Sequence, residues 1–263
     1  MPIRLTPTFR DALAAHATGP TSGPFLGMWV CTASPLVAEI CAGSGLDWLL
    51  VDMEHSPNGL ESVLAQLQTV AAYPVTPVVR VPTDDVVTIK QVLDLGAQNL
   101  LVPMVSSAEQ ARAVVEAVRY SPRGRRGVGS AIARSARWNR VEGYLAHADE
   151  HVSVLVQIET AEGVAAAEAI AGVDGVDGVF VGPSDLAASM GLLGQQNHPD
   201  VVAAVHRAFD AVRTAGKPVG VNAFDPDLAH AYARAGASFV LVGADVTLLA
   251  QGSEELAARF GRT

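Results

Sequence analysis

Long apolar runs, cysteine and positive charge are all scarce in this chain of 263 residues. Glycine, proline or charged residues interrupt its apolar stretches every few positions, whereas a membrane helix needs about 18 or more unbroken apolar residues. We therefore expect no membrane span. The N-terminal stretch has no apolar segment followed by a small-residue cleavage site, so we expect no secretory signal and a cytoplasmic location.

The two cysteines, Cys31 and Cys41, belong to no CxxC or zinc-ligand pattern and are expected to be reduced and structural. A net charge of −9 and a pI near 5.2 argue against a nucleic-acid partner, which requires a basic face. The arginine-rich segment 121–140 is the exception. We expect its guanidinium groups to pair with carboxylates within or between subunits, or to hold an anionic substrate; an RNA-binding arm is the alternative.

Apolar residues make up 49% of the chain, enough for a large core. Short β-branched runs alternate with alanine-rich segments whose apolar residues recur every three or four positions, as in amphipathic helices. This alternation predicts parallel strands joined by right-handed helical crossovers. The predicted strands are 25–30, 48–54, 76–81, 99–104, 153–159, 178–183, 218–223 and 239–244.

Eight such units in about 250 residues predict an α/β fold, a (β/α)8 TIM barrel. An open doubly wound sheet is the rival, but no GxGxxG follows the first strand. No shift in composition marks a second domain. We therefore predict one barrel domain over 1–263, with a lead-in helix and loop over 1–23.

In a barrel of this type the active site lies at the carboxyl ends of the strands. Polar or aromatic side chains stand at five of the predicted strand ends, and we expect them to face one rim. These residues are Trp29, Asp52, Glu54, His55, Arg80, Gln157, Glu159 and Asp185. The predicted buried strand 48–54 thus ends in charged side chains because its last residues lie at the mouth of the barrel.

Glu159 and Asp185 end neighbouring strands and offer two oxygen ligands for Mg²⁺, Mn²⁺ or Co²⁺, with water and substrate completing the coordination. The alternative is that one carboxylate pairs with Arg80 or with an arginine of segment 121–140. The other would then cap a helix, because "PSDLAA" around Asp185 is also a good helix start.

His55 is a candidate general base because its unperturbed pKa lies near neutrality. Either Asp52 or Asp94, at the end of the third helical segment, is expected to hold its second ring nitrogen. Arg80 follows an apolar strand, where it needs a carboxylate or an oxyanion such as a 2-keto acid. Amides over 182–185 (Gly182, Pro183, Ser184 and Asp185), at a helix N-terminus, are candidates for binding the substrate carboxylate.

Enolate chemistry requires a divalent ion, a base and an arginine close together. Their expected presence at the mouth of the barrel predicts a metal-dependent (class II) aldol reaction. A Schiff-base mechanism would need a buried lysine on a strand. The chain has two lysines, Lys90 in a helical segment and Lys217 at a turn. Their positions favour the metal route.

The motifs "GLDWLLVDMEHSPN", "PVVRVP", "GAQNLLVPMV", "RYSPRGRRGVGSAIARSARWNR", "VLVQIET", "GVDGVFVGPSDLAASMG" and "FVLVGADVTLLA" resemble the metal-dependent pyruvate aldolases of the HpcH/HpaI family, from about residue 24 to 260. The resemblance implies a homo-hexamer, a trimer of dimers that exchanges the last helix. It also implies a lyase acting on a small keto acid and an aldehyde in aromatic or sugar acid catabolism.

By the same resemblance, His55 is the base with Asp94 as its partner, and Arg80 contacts the keto or enolate oxygen. Glu159 and Asp185 are the metal ligands with Gln157 beside them. Ser184 and Asp185 give amides to the pyruvyl carboxylate. We also expect Trp29 and Val221 to line the substrate site.

The chain departs from the family at Met53, where glycine is usual, at Ser184, where alanine also occurs, and in "VGVNAFDPD", which differs from the "GILIANEQ" of some members. We expect these residues to line the part of the site that holds the aldehyde end of the substrate. A citrate-lyase-β-like enzyme acting on an acyl-CoA thioester is the alternative function. A barrel that binds a keto acid without turning it over is a third hypothesis.

Overall fold

Eight parallel strands form one closed barrel in the computed structural model, which describes residues 3–20 and 23–261. Each strand pairs with the next along the chain, and the eighth pairs with the first. The strands are β1 Phe25–Val30, β2 Trp48–Asp52, β3 Thr76–Arg80, β4 Asn99–Val102, β5 Ser153–Ile158, β6 Gly178–Val181, β7 Val219–Asn222 and β8 Phe239–Ala244. The predicted single (β/α)8 barrel is confirmed.

Helices connect successive strands, as the right-handed crossovers require. The helices are α1 Phe9–Thr18, α2 Pro35–Ala42, α3 Leu60–Val70, α4 Val86–Asp94, α5 Ala108–Val118, α6 Ala161–Ala165, α7 Ala167–Ala171, α8 Pro183–Ser189, α9 Pro199–Thr214, α10 Pro226–Arg234 and α11 Asp245–Arg259. Many begin with a side-chain cap, such as Ser34 before α2 and Asp85 before α4.

Several strands end one or two residues before the predicted limit. Strand β2 stops at Asp52, because the Asp52 carboxylate accepts hydrogen bonds from the backbone amides of Glu54 (3.0 Å) and His55 (3.2 Å). This local turn competes with continued strand pairing. It carries Glu54 and His55 out of the sheet and over the mouth of the barrel.

The strands place alternate side chains in two apolar layers, one inside the barrel and one between strands and helices. The outer layer includes Val51 of β2, Val79 of β3 and Val181 of β6. The inner layer comprises Phe25, Trp48, Leu50, Val78, Leu101, Leu155, Phe180, Phe239 and Leu241.

Helix α1 closes the N-terminal end of the barrel. Its Phe9 is fully buried, with ring centroids 5.1 Å from Phe239 and 5.2 Å from Trp48. The Thr8 side chain caps the helix by accepting a bond from the Asp11 amide. The helix lies within the predicted lead-in 1–23, of which residues 1, 2, 21 and 22 lie outside the described residues. With this end plugged, the carboxyl ends of the strands form the open mouth.

The arginine-rich segment 121–140 lies against the outside of the barrel, and three of its six arginines pair with carboxylates of the same chain. Arg123 bonds Asp149, Arg125 lies 3.3 Å from Glu116, and the fully buried Arg126 lies 3.5 Å from Asp94. The expectation of carboxylate partners within the chain is confirmed for these three arginines, whereas Arg134 donates to the Leu95 carbonyl oxygen at 3.0 Å. Over the residues that the structure describes, no helix is long and apolar enough to cross a membrane.

Candidate active site

A cavity of about 390 Å³ opens at the carboxyl ends of the strands. Nine of the residues expected at the site line it, and they come from five different strand ends or the loops that follow. These nine are Trp29, Asp52, His55, Arg80, Gln157, Gly182, Pro183, Ser184 and Asp185. Concave pockets with a few convergent polar groups are the usual form of small-molecule sites.

Arg80 is held at the wall of this cavity by two carboxylates and an aromatic ring. It pairs with Asp52 across neighbouring strands, with Nε to Oδ1 at 2.7 Å and Nη2 to Oδ2 at 2.9 Å. Its Nη1 lies 2.7 Å from Glu54 Oε2, and its guanidinium carbon lies 4.3 Å from the Trp29 ring centroid. These contacts fix the guanidinium while each terminal nitrogen keeps a second N–H for a substrate oxygen.

His55 lies at the rim with 66% of its side chain exposed, and its Nε2 is 3.9 Å from Glu54 Oε1. Asp52 was one expected partner of its ring, but both Asp52 oxygens instead bond Arg80 and the amides of the turn. The expectation that Asp52 orients the imidazole is therefore wrong for this chain. The reason is the strand register, which sets Asp52 directly beside Arg80.

Asp94, the other expected partner of His55, ends helix α4 and does not line the cavity. Because a crossover helix runs back from the carboxyl ends of the strands to their amino ends, its last residue lies toward the closed end of the barrel. There Asp94 Oδ1 is 3.5 Å from Arg126 Nη2. Within one chain, Asp94 therefore does not reach His55, and the expected pairing is not met.

Glu159 lies immediately behind the cavity wall and is 2% exposed. A Cβ atom on Gly182 would lie 2.9 Å from Glu159 Oε2, so the absent side chain at Gly182 leaves room for the carboxylate. Burial raises the pKa of Glu159 to about 7, opposed by hydrogen bonds from the Met104 amide (2.7 Å) and the Gln157 side chain. The charges of Glu54 and Asp185 raise this pKa further.

No salt bridge to Glu159 or Asp185 is found within 3–20 and 23–261, so neither carboxylate pairs with Arg80 or with segment 121–140. Nor is Asp185 the N-cap of its helix: α8 begins at Pro183 with Gly182 at the N-cap, which puts Asp185 in the first turn. In the same described part, no three His, Cys, Asp or Glu side chains converge as a ligand set. A cation held here would therefore take its remaining ligands from water or substrate.

Val221 was expected to contact substrate, and this expectation is wrong. Its side chain belongs to the apolar layer between strands and helices, whereas the next residue, Asn222, lines the cavity. Side chains of a strand alternate between its two faces, so an error of one position changes the face. Trp29 donates its indole N–H to Asn222 Oδ1 at 2.7 Å, which ties strands β1 and β7 together at the mouth.

Sequence reasoning missed several other cavity residues. The additional lining residues are Cys31, Ser56, Pro57, Phe180, Asn222, Phe224, Ala244 and Val246. Six of these eight residues lie at a strand end or within two residues of one. Because side chains alternate between the two faces of a strand, Asn222 could have been identified by assigning Val221 to the outer face of β7. Met53 packs against the outer apolar layer and does not line the cavity, because the turn at Asp52 directs it away.

The site therefore combines an exposed imidazole, a fixed guanidinium and two carboxylates without a cationic partner, on a closed barrel, which is the arrangement of a barrel enzyme. The family model described as HpcH/HpaI aldolase/citrate lyase matches residues 26–252. The chain belongs to this family.

Relatives of known sequence and structure agree with this assignment. The 4-hydroxy-2-oxo-heptane-1,7-dioate aldolase of Salmonella dublin is 52% identical over 253 residues, 96% of this chain and 94% of that protein. The structure of an HpcH/HpaI aldolase/citrate lyase family protein from Burkholderia cenocepacia J2315 is 38% identical with a TM-score of 0.89, and the match covers 95% of this chain and 99% of that one.

A citrate lyase beta subunit from M. tuberculosis, complexed with oxaloacetate and magnesium, is more distant. It is 16% identical with a TM-score of 0.57, over 85% of this chain and 92% of that one. At this identity the likeness concerns the fold alone.

Proposed function

We propose that this chain catalyses the reversible aldol cleavage of a 4-hydroxy-2-keto acid to pyruvate and an aldehyde. The observation that carries the proposal is the convergence of His55, Arg80 and Asp185 on one cavity, with the buried Glu159 directly behind Gly182. The high identity to a relative named as an aldolase of a 4-hydroxy-2-oxo diacid supports the same reaction.

We propose that Glu159 and Asp185 hold a divalent cation, Mg²⁺, Mn²⁺ or Co²⁺. The residues fit such an ion, because Glu159 is a nearly completely buried carboxylate whose pKa is raised by burial and by neighbouring negative charge. A divalent cation offsets that charge, and carboxylate oxygens are its preferred ligands. When bound, the ion stabilises developing negative charge on the keto oxygen of the substrate.

The protein groups position the substrate around that ion. The backbone amides at Ser184 and Asp185, in the first turn of α8, bind the pyruvyl carboxylate. Gln157 donates to Glu159 and thereby fixes the direction of the carboxylate. The free N–H groups of Arg80 donate to the keto oxygen, whose charge increases as the enolate forms.

His55 acts as the general base at the mouth. In the cleavage direction it takes the proton of the C4 hydroxyl. The C3–C4 bond then breaks with its electron pair going to the pyruvate enolate. The protonated His55 gives the proton to C3, which yields pyruvate and restores the neutral base. An exposed imidazole suits this role, because it exchanges protons with solvent between turnovers.

We further propose that the protein is a homo-hexamer, a trimer of dimers that exchanges helix α11. Only Asp245 of this helix is buried in the chain, whereas the apolar Leu248, Leu249 and Leu256 are more than half exposed. Just beyond the helix, Phe260 is 79% exposed. A contiguous exposed apolar face of this kind marks a protein interface.

We also propose a cytoplasmic location, because the two free thiols suit a reducing compartment. The proposed substrate class suits a role in aromatic or sugar acid catabolism.

The metal requirement provides the test. Protein loaded with Mn²⁺ or Co²⁺ should release pyruvate from a 4-hydroxy-2-keto acid, measured through NADH oxidation by a coupled lactate dehydrogenase. Complete chelation should abolish this activity. Glu159→Gln should weaken Mn²⁺ binding measured by calorimetry. The control variant Glu168→Gln, on the exposed face of α7, should leave Mn²⁺ binding unchanged. Activity that survives complete chelation would remove the metal from the mechanism.

The citrate-lyase-like alternative has a separate test. A CoA thioester needs a basic groove for its phosphates, and none of segment 121–140 lines the cavity. A thermal shift with acetyl-CoA larger than that with pyruvate would favour the alternative.

A further inference from the structure

Two arginines of segment 121–140, Arg134 and Arg137, have no carboxylate partner in the part of the chain that the structure describes. Arg134 donates one N–H to the Leu95 carbonyl oxygen at 3.0 Å, and Arg137 donates one to the carbonyl oxygen of Arg134. A guanidinium carries five N–H groups, so each side chain keeps four that meet no acceptor among the described residues. The proposed reaction uses neither arginine.

The two guanidinium groups converge over Gly96, in the turn between α4 and β4. A Cβ atom on Gly96 would lie 2.7 Å from Arg134 Nη1 and 2.9 Å from Arg137 Nη1. The two nitrogens therefore lie within about 6 Å of each other, a separation at which like charges repel. The absent side chain at Gly96 leaves the space that both arginines occupy.

The backbone that carries Arg137 adopts an unfavourable conformation. Arg137, Trp138 and Asn139 have φ values of 48°, 56° and 60°, so three successive non-glycine residues lie in the left-handed region. Residues with a side chain avoid this region, because the Cβ atom approaches the following carbonyl oxygen. Strain of this kind is concentrated at functional sites such as ligand clamps, where the surrounding structure maintains it.

Both arginines line a cavity of about 70 Å³ at the amino ends of β3 and β4, opposite the mouth of the barrel. Within 3–20 and 23–261, no aspartate or glutamate lines this cavity. The Glu39 carboxylate accepts a bond from the lining Tyr73 hydroxyl at 3.0 Å but is not itself part of the lining. The cavity therefore combines two positive charges with no adjacent negative charge.

The other polar side chains of the lining bond within the chain and do not compensate the arginines. Gln98 and Thr6 bond each other, and the Asn99 side chain accepts a bond from the Phe9 amide. Asn99 also donates to the carbonyl oxygen of Pro77 at 2.9 Å. The unpaired hydrogen-bonding capacity of the cavity thus belongs to the two guanidiniums.

Burial without a negative partner is unfavourable for both charges. Burial, together with the charge of Arg137, lowers the pKa of Arg134 to about 10. Burial also lowers the pKa of Arg137. Both groups are still protonated at neutral pH, so an anion bound between them would offset their repulsion and their lost hydration.

We propose that this cavity binds a small, doubly charged oxyanion such as inorganic phosphate between the guanidiniums of Arg134 and Arg137. Two guanidiniums match the charge of a dianion, and their forked N–H groups match its oxygen atoms. The cavity holds several water molecules or one ion of this size and is too small for a nucleotide. The site lies at the closed end of the barrel and is independent of the proposed aldol reaction.

Titration of phosphate into the full, metal-loaded chain tests this site. At pH 8, where phosphate is largely a dianion, we expect calorimetry to detect binding. Phosphate at about 100 times its Kd should raise Tm by about 5 °C or more. Potassium chloride at the same ionic strength should raise Tm far less. A Tm shift with chloride equal to that with phosphate would show general screening and would overturn the inference.

Variants distinguish this cavity from the active site, where phosphate can also meet the metal. Arg137→Gln should weaken phosphate binding at least tenfold. The control Arg140→Gln, an exposed arginine of the same segment outside the lining, should leave the Kd unchanged. Parent-like affinity in both Arg137→Gln and Arg134→Gln would overturn the inference.

Stability without phosphate separates an anion site from a structural role. Arg137→Gln removes one of two repelling charges, so its Tm in chloride should equal or exceed that of the parent. A variant that is destabilised in chloride and keeps the phosphate-induced Tm shift would contradict the proposal. If Arg137→Gln does not fold, Arg137→Lys keeps the charge but loses the planar fork. It should bind phosphate more weakly than the parent, and equal affinity would contradict the proposal.

A carboxylate of a second copy of the chain would supply the same negative charge. Phosphate would then fail to bind the parent, and Arg137→Gln would change the oligomeric state measured by analytical ultracentrifugation. That outcome would overturn the phosphate site. We expect the parent and Arg137→Gln to have the same oligomeric state, with tight phosphate binding in the parent alone.

Discussion

Replacing Arg80 tests the physical core of the site, because this guanidinium is buried between two carboxylates. The side chains of Arg80 and Asp52 are 6% and 2% exposed, and that of Glu54 is 15% exposed. Arg80→Met preserves the apolar volume of the stem but leaves both carboxylates without their cation. Removing one partner of a buried ion pair typically costs about 3–5 kcal/mol.

That cost is measurable by calorimetry or urea unfolding. At about 2–4 °C per kcal/mol for a domain of this size, we expect Arg80→Met to lower Tm by about 10 °C. Arg207→Met, on the exposed face of α9, should stay within about 0.5 kcal/mol of the parent. The Arg80→Met/Asp52→Asn double variant should lose less than the sum of its single variants, because the two residues share one interaction.

The penalty also depends on pH. Burial raises the pKa of Glu54 and Arg80 lowers it, so the substitution raises this pKa further. The folded variant then binds more protons than the unfolded chain, and its stability falls as pH rises. The loss caused by Arg80→Met should therefore be smaller at pH 5 than at pH 8. A Tm loss below 2 °C, or an equal loss at both pH values, would refute the reasoning.

Three further predictions concern other parts of the molecule. His55→Gln should slow pyruvate methyl-proton exchange about 100-fold or more, with little change in Tm because the ring is exposed. The control His230→Gln should leave the exchange rate unchanged. Normal exchange in His55→Gln would show that His55 is not the base. Phe9→Ala should cost about 3–5 kcal/mol in urea unfolding, because the ring plugs the closed end of the barrel, and a cost below 1 kcal/mol would contradict that role. Gly182→Ala should weaken Mn²⁺ binding, measured by calorimetry, because the new Cβ would lie 2.9 Å from Glu159 Oε2; unaltered affinity would separate Glu159 from the metal.

The strands were predictable because their residues are buried on both faces, which makes each strand a short, nearly continuous apolar run. In β5, for example, all six residues are buried, and the run stands out between polar turns. The polar ends of the strands were predictable because an unpaired charge is costly in an apolar core. A charged residue such as Arg80 at the end of an apolar run is therefore expected at the end of the barrel, where polar partners are available. The rim on which it emerges follows from the parallel arrangement.

Partnerships among the site residues were less predictable. The expectation paired Asp52 or Asp94 with His55, whereas Asp52 bonds Arg80 and Asp94 lies near Arg126. These pairs depend on which residues of neighbouring strands lie side by side and on which end of a helix faces the mouth. Neither property is visible in the local pattern of any one segment.

The sequence by itself determined the number of strands, their parallel order and the end of the barrel at which polar groups collect, because these follow from local apolar runs and chain connectivity. Tertiary structure alone decided that Asn222 and not Val221 faces the cavity and that Glu54 joins Asp52 on Arg80. The physical reason is that strand facing and lateral register depend on packing across the whole barrel, where a shift of one residue exchanges a buried valine for a polar side chain.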